Sequence, residues 1–300
     1  MQILKGQPLE PIPSHKKVKI TCMKNITEIM YIEKLSLNGF PIKRISKNEY
    51  MILATGEIKE FKSHIENRSQ DKDSLRKTFK KIRELINNNF EGAKNELAFT
   101  LTYDKNMKDS EVLYKDFEGF MDKITYKYPN TDYLSVVEPQ ERGAWHCHVL
   151  LRFNDLDKIF IPNSTIAEMW GNGFVKVKAI RSDVDNMGAY LSAYLGDVEL
   201  NPSNYNQIKP GVVVKEVEIN GKKKKFIKGG RLHLYPANMH IMRKSKGIKY
   251  PVSNYDIYEN VKKIVGAVTP NYSSKIKILD DDDNFINAIT YEHYNSKRLK

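Results

Sequence analysis

Cysteine is scarce: the 300 residues contain two, Cys22 and Cys147, far apart and without a CxxC pair. That excludes a disulfide framework and a four-cysteine zinc module, and it fits a reducing compartment. No apolar run approaches the roughly 18 residues that a membrane-spanning helix needs. The opening Met1-Gln2-Ile3-Leu4-Lys5-Gly6 lacks a long apolar stretch of the signal-peptide kind. The expectation is a soluble intracellular protein with no membrane partner. A P-loop pattern is missing too, so Gly171-Asn172-Gly173 reads as a turn and any ATP-driven unwinding belongs to another protein. Neither an internal repeat nor a low-complexity linker is visible.

What is abundant is positive charge. Lys and Arg number 49 against 37 Asp and Glu, a formal charge of +12, which points to a polyanionic partner. Hydrophobic residues make up 40% and aromatics 10%, enough for a packed core in one large or two ordinary domains. Two charge runs stand out, Lys222 to Lys225 with Lys228 and Arg231, and Asp280 to Asp283. Either could be a solvated face; the basic one could also hold nucleic acid.

Periodicity divides the chain. Residues 1–70 read as a β-rich segment, with strands at Val18 to Cys22, Ile29 to Leu35 and Tyr50 to Leu53. An amphipathic helix with a basic outer face follows from Asp73 to Asn89, burying Leu75, Phe79, Ile82, Leu85 and Ile86. Strands are expected at Leu97 to Tyr103, Tyr133 to Val137, His146 to Phe153 and Gly173 to Ile180. Helices fall at Ser110 to Tyr128, with Val112, Phe117, Phe120, Met121 and Ile124 inward, at Ser164 to Trp170, and at Val184 to Leu195. The resulting β-α-β-β-α-β order predicts an α+β fold with a ferredoxin- or RRM-like antiparallel sheet. Residues 71–200 would form this domain, and residues 201–300 a basic extension that begins with a hairpin across Asn220-Gly221 and could bind DNA.

The sharpest chemical signal is Trp145-His146-Cys147-His148. Side chains at i and i+2 of a strand share a face, so His146 and His148 project together. Two imidazoles can ligate one divalent ion, although such a pair is also common as ordinary surface or core histidine. Across a hairpin turn, Glu138 would stand beside them and complete a three-ligand site with open positions; Glu141 ranks second because it lies in the turn. A second signal is Tyr190 and Tyr194, four apart on one helix face. Alone, they read equally as core aromatics. Together with a metal-site candidate and a basic chain they meet the needs of phosphodiester cleavage: an oxygen nucleophile, a charge-neutralising metal and cations for the strand. Tyr103, Trp145 and Phe153 could stack on unpaired bases or serve as plain core.

Thr100-Leu101-Thr102-Tyr103, then Glu138 with Arg142-Gly143-Ala144-Trp145-His146-Cys147-His148, then Tyr190 and Tyr194, resemble the three ordered motifs of HUH endonucleases. More narrowly, the chain resembles rolling-circle replication initiator (Rep) proteins of bacterial plasmids and phages, over about Leu97 to Gly196. The resemblance implies Mg²⁺ or Mn²⁺ held by His146, His148 and Glu138, with Tyr190 as nucleophile and Tyr194 as the second tyrosine. It further implies nicking of single-stranded origin DNA, a 5′-phosphotyrosine link, a 3′-OH primer, and later strand rejoining. Host helicase and polymerase would be partners, and the cytoplasm of a bacterial host the setting. Family members often carry a lysine between or just after the tyrosines, where this chain has Ala193 and Asp197. Lys176, Lys178 and Arg181 could supply that cation, and Lys223, Lys224 and Arg231 could contact DNA. The rival readings are a non-catalytic RRM-like nucleic-acid-binding module, an HUH transposase or relaxase, and a histidine-triad hydrolase. Leu150 stands where the last of these would need a third histidine.

Overall fold

The computed structural model describes residues 2–34, 42–46, 48–52, 56–61, 72–140, 142–180, 188, 198–200, 214–219, 222–227, 231–237 and 239–298. Two compact units emerge, one from Met1–Ile65 with Pro251–Lys300, the other from Glu66–Tyr250.

The second unit carries the expected pattern as α1 (Lys72–Asn89), β7 (Glu96–Thr102), α2 (Ser110–Lys127), β8 (Thr131–Pro139), β9 (Trp145–Phe153), α3 (Asn163–Trp170) and β10 (Val175–Ala179). With β14 (Met242–Lys244) the strands form a five-stranded sheet in the order β10-β7-β9-β8-β14. Every neighbouring pair in it is antiparallel. The fold is thus α+β with antiparallel sheets. A smaller sheet in this unit joins β11 (Val198–Glu199), β13 (Lys222–Ile227) and β12 (Val214–Ile219) in that order.

Alternation along β9 decides what goes inside. Cys147, Val149, Leu151 and Phe153 pair in register with Leu101, Phe99 and Leu97 of β7 and with Val137, Ser135, Tyr133 and Thr131 of β8. This face takes the apolar stripe of α2, through edge contacts of Phe120 on Phe99 and Phe117 on Tyr133. Asp109 starts that helix by accepting the amides of Glu111 and Val112, two of the donors a helix leaves unpaired. The stripe runs Leu113, Tyr114, Phe117, Phe120, Met121 and Ile124, so the expectation for Val112 fails: it lies one step off the 113/117/120/124 row and stays exposed.

The other face has a packed end and a polar end. Ala98, Leu150 and Leu134 form one cross-strand row, and the next row holds Glu96, Arg152 and Asp132. Asp132 ties that end together by accepting from Arg152 (3.0 Å), Asn154 (3.0 Å) and Ser245 (2.8 Å). Its burial would raise the carboxyl's pKa, but these hydrogen bonds outweigh that and hold it below the ordinary value. The end of α1 is fastened by Asn89, whose carboxamide both donates to the Lys249 carbonyl and accepts the Lys249 amide. The amide of Gly188 donates to Oδ1 of Asn87 on the same helix (2.8 Å), at an approach so close that a Cβ would run into the Arg83 carbonyl.

In the first unit, β1 (Gln2–Gln7), β2 (Lys17–Cys22) and β3 (Ile26–Ile32) join β15 (Val252–Ile257), β16 (Tyr272–Leu279) and β17 (Phe285–Asn295) in one six-stranded sheet. Its core gathers Ile12, Val18, Ile20, Ile29, Tyr31 and Tyr294 around Val261 of α4 (Tyr258–Val265). A separate three-stranded sheet is made of β4 (Ile42–Arg44), β5 (Glu49–Ile52) and β6 (Ile58–Glu60). Residues 201–300, expected as one extension, are therefore shared between the units. The reason is strand pairing: β15, β16 and β17 complete the N-terminal sheet, whereas β14 adds to the edge of β8. Among the described residues no helix is long and apolar enough to cross a membrane.

Candidate active site

On the polar end of the second unit's sheet, two cross-strand rows carry chemistry. One holds Lys176, Thr100, His148 and Val136; the other holds Thr102, His146 and Glu138. Directly paired residues of adjacent strands share a face, so the register alone brings His146, His148 and Glu138 together as the sequence predicts. The imidazole rings lie 6.2 Å apart and nearly perpendicular.

The β8–β9 turn fixes the surroundings of His146. Gln140 accepts the Gly143 amide and donates its own to the Ala144 carbonyl, and Gly143 takes the left-handed φ of 86° that suits a glycine. Arg142 reaches back to donate to the Tyr103 carbonyl (2.7 Å) and, through Nε, to Oε1 of Gln140 (2.7 Å). That contact orients the Gln140 carboxamide, because a guanidinium can only donate; the amide nitrogen is left facing Nε2 of His146. His146 is neutral at neutral pH: burial, aided by the neighbouring His148, brings its pKa down to about 4. Its Nε2 therefore accepts from Gln140.

His148 is held differently. Its Nε2 lies 2.9 Å from Oε2 of Glu138, and Nδ1 lies 3.4 Å from the Thr100 hydroxyl. The other oxygen of Glu138 pairs with Arg231. Arg231 comes from a turn that Tyr235 anchors, since the buried Tyr235 hydroxyl donates to the Val137 carbonyl (3.0 Å) and its ring packs on Trp145. Arg231 was expected on the DNA-binding extension; it stands on the carboxylate of the site. Its Nε is buried with no hydrogen-bond partner among the described residues.

Two imidazoles, one of them held neutral, and a carboxylate are a donor set that suits a divalent ion, so His146, His148 and Glu138 fit it chemically. Among the described residues, though, no group of three or more His, Cys, Asp or Glu converges on one point. The local cause is that Nε2 of His146 faces Gln140, Nε2 of His148 faces Glu138, and Arg231 takes the remaining carboxylate oxygen. Gln140 and Arg231 are the two groups a cation would displace.

The other predicted residues divide. Lys176 and Lys178 are exposed on β10, opposite Thr100 and Ala98 and hence on the histidine face. Lys223 and Lys224 lie on β13, in register with Glu218 and Val217. Tyr190, Tyr194, Arg181 and Glu141 lie outside the described residues. Tyr103, Trp145 and Phe153 are buried, so the expectation that they could stack on bases fails; they face the core. Sequence reading missed Gln140, although the signal was present: once Glu138 pairs with His146, a residue two further along the strand exit continues the same face. The placement of Arg231 on Glu138 has no such local signal.

The search of curated proteins finds no match for the chain. Residues 96–199, about a third of the chain, match a family model described as a replication-associated protein of the ORF2 type. That stretch begins with β7 and includes Glu138, His146 and His148, and its likeness to a replication-associated family supports a role as a replication initiator.

Proposed function

We propose that this chain initiates rolling-circle replication as a metal-dependent endonuclease and strand transferase acting on single-stranded origin DNA. The observation that carries the reading is the placement of His146, His148 and Glu138 on one face of two adjacent strands, inside the stretch that matches the replication-associated family. The β-α-β-β-α-β order of an antiparallel sheet supports a ferredoxin-like HUH core.

His146, His148 and Glu138 would hold Mg²⁺ or Mn²⁺, which when bound draws negative charge from the phosphate's non-bridging oxygens. The Tyr190 hydroxyl attacks phosphorus. The bond from phosphorus to its oxygen forms as the bond to the 3′ oxygen breaks, the phenolic proton leaves to solvent, and the 3′ oxygen takes up a proton to become the primer hydroxyl. Tyr194 carries the later transesterification that cuts and rejoins the displaced strand. Lys176, Lys178, Arg181, Lys223 and Lys224 neutralise backbone phosphates. A host helicase and polymerase extend the primer in the bacterial cytoplasm.

The test mixes the protein with end-labelled single-stranded DNA tiled across its own replicon, with Mn²⁺, with Mg²⁺ and with EDTA, on a denaturing gel. A metal-dependent covalent adduct lost in Tyr190→Phe is the expected result. An adduct undiminished in that variant moves the nucleophile elsewhere. Binding without any adduct favours a non-catalytic RRM-like module, and a transposase or relaxase would show the same adduct on a different DNA site.

A further inference from the structure

We propose that the cavity beside His146 seats one unpaired nucleotide of a DNA strand, with its base stacked on Phe174 and its phosphate held by Lys176. This rests on the nuclease reading of the same face. The cavity is about 470 Å³ and is bounded by Thr100, Thr102, Gln140, His146, Phe174 and Lys176. That volume lies in the range of small-ligand sites.

Phe174 is the unusual member. It is 67% exposed, yet the backbone beneath it is held at several points. The Phe174 carbonyl accepts from both the amide (3.0 Å) and the hydroxyl (2.7 Å) of Thr102. Just before it, Gly173 comes so near β7 that a Cβ would stand 2.6 Å from the Asp104 amide nitrogen. The indole of Trp170 donates to the Thr102 carbonyl (2.7 Å), which pins the start of the same turn. A large apolar ring facing water on a well-held turn is a prepared contact surface, because little ordering entropy is lost when a ligand covers it.

The rest of the cavity defines the ligand. Phe174 and Lys176 are two apart in extended chain, so they point to the same side while Val175 turns into the core. Across from them, Arg142 locks the carboxamide of Gln140 beside His146. A stacking ring, a cation next to it and hydrogen-bonding groups opposite match a flat base joined to a phosphate. Stacking on an aromatic ring tolerates any base, so this seat would add affinity without reading sequence.

The experiment measures fluorescence anisotropy of a labelled, random-sequence single strand of about 20 nucleotides, in EDTA so that cleavage is excluded. The proteins compared are the full chain and its Phe174→Ala, Phe174→Tyr and Tyr126→Ala variants; Tyr126 is a 92% exposed aromatic on α2, away from the cavity walls. Phe174→Ala is expected to weaken binding about tenfold, while Phe174→Tyr and Tyr126→Ala stay within about twofold of the parent. A parallel photocrosslink with 5-iododeoxyuridine in the strand is expected to map to the peptide carrying Phe174. Equal binding by all four proteins, or crosslinks confined to other peptides, overturns the nucleotide seat while the adduct assay with Tyr190→Phe still reports on the nuclease reading. No binding by the parent chain overturns both.

Discussion

Arg231 and Glu138, 93 residues apart in the chain, meet as a partly buried ion pair at the end of β8. The Glu138 side chain is only 7% exposed, so its charge depends on the groups that reach it. The contact joins a residue outside the stretch matched by the replication-associated family to one inside it.

Removing one partner of such a pair leaves the other charge buried without compensation. Arg231→Ala should therefore lower stability by about 3 kcal/mol, and Arg231→Lys should recover part of the loss. Urea unfolding of the three proteins checks this. An unchanged midpoint in Arg231→Ala would mean that the pair contributes nothing in solution.

Because burial and His148 bring the pKa of His146 from 6.5 down to about 4, the unfolded chain binds the proton more readily than the folded one between those values. The stability this histidine adds is thus fully present above pH 6.5 and is lost as pH falls toward about 4. Imidazole proton resonances followed by NMR should show His146 titrating near the lower value. Titration close to 6.5 would contradict the burial argument.

Burial also pushes the Cys147 thiol up to about 12, whereas Cys22 stands exposed in the structure. Iodoacetamide applied to the native protein at pH 8 should alkylate Cys22 and spare Cys147, since the thiolate is the reacting species. Mass spectrometry of the digested protein reads the sites directly. Labelling of both at similar rates would show that the β9 core opens readily.

Gly188 lies two residues before Tyr190 and binds Asn87 through its amide. A Cβ there would run into the Arg83 carbonyl and come within 2.8 Å of the Asn87 carboxamide oxygen. Gly188→Ala should destabilise by about 1–3 kcal/mol, as overpacking does, and speed proteolysis between residues 181 and 197. Thermal unfolding and limited proteolysis test it; a variant indistinguishable from the parent would show that this contact does not hold the tyrosine-bearing segment.

The local part of the fold was legible because it is written in periodicity. Apolar residues at Leu75, Ile82, Leu85 and Ile86 specify α1, and alternation from Trp145 to Phe153 specifies β9 with its histidines on one side. The short turn-rich link after Pro139 implied the β8–β9 hairpin, and that pairing placed Glu138 opposite His146. Each of these readings uses residues near one another in the chain, where spacing and geometry are the same information.

Long-range pairing was not legible. Nothing in Tyr272–Leu279 or Phe285–Asn295 announces that they close a sheet begun at Gln2, because a strand's own pattern states which face is buried and not which partner covers its edge. The same limit explains the exposed ring of Phe174 and the arrival of Arg231 at Glu138: both depend on which distant segment packs where. The sequence by itself determined the histidine face and its carboxylate, through side-chain alternation and hairpin register. Only the tertiary structure decided which cation neutralises that carboxylate, which amide occupies His146, and what lines the cavity beside them.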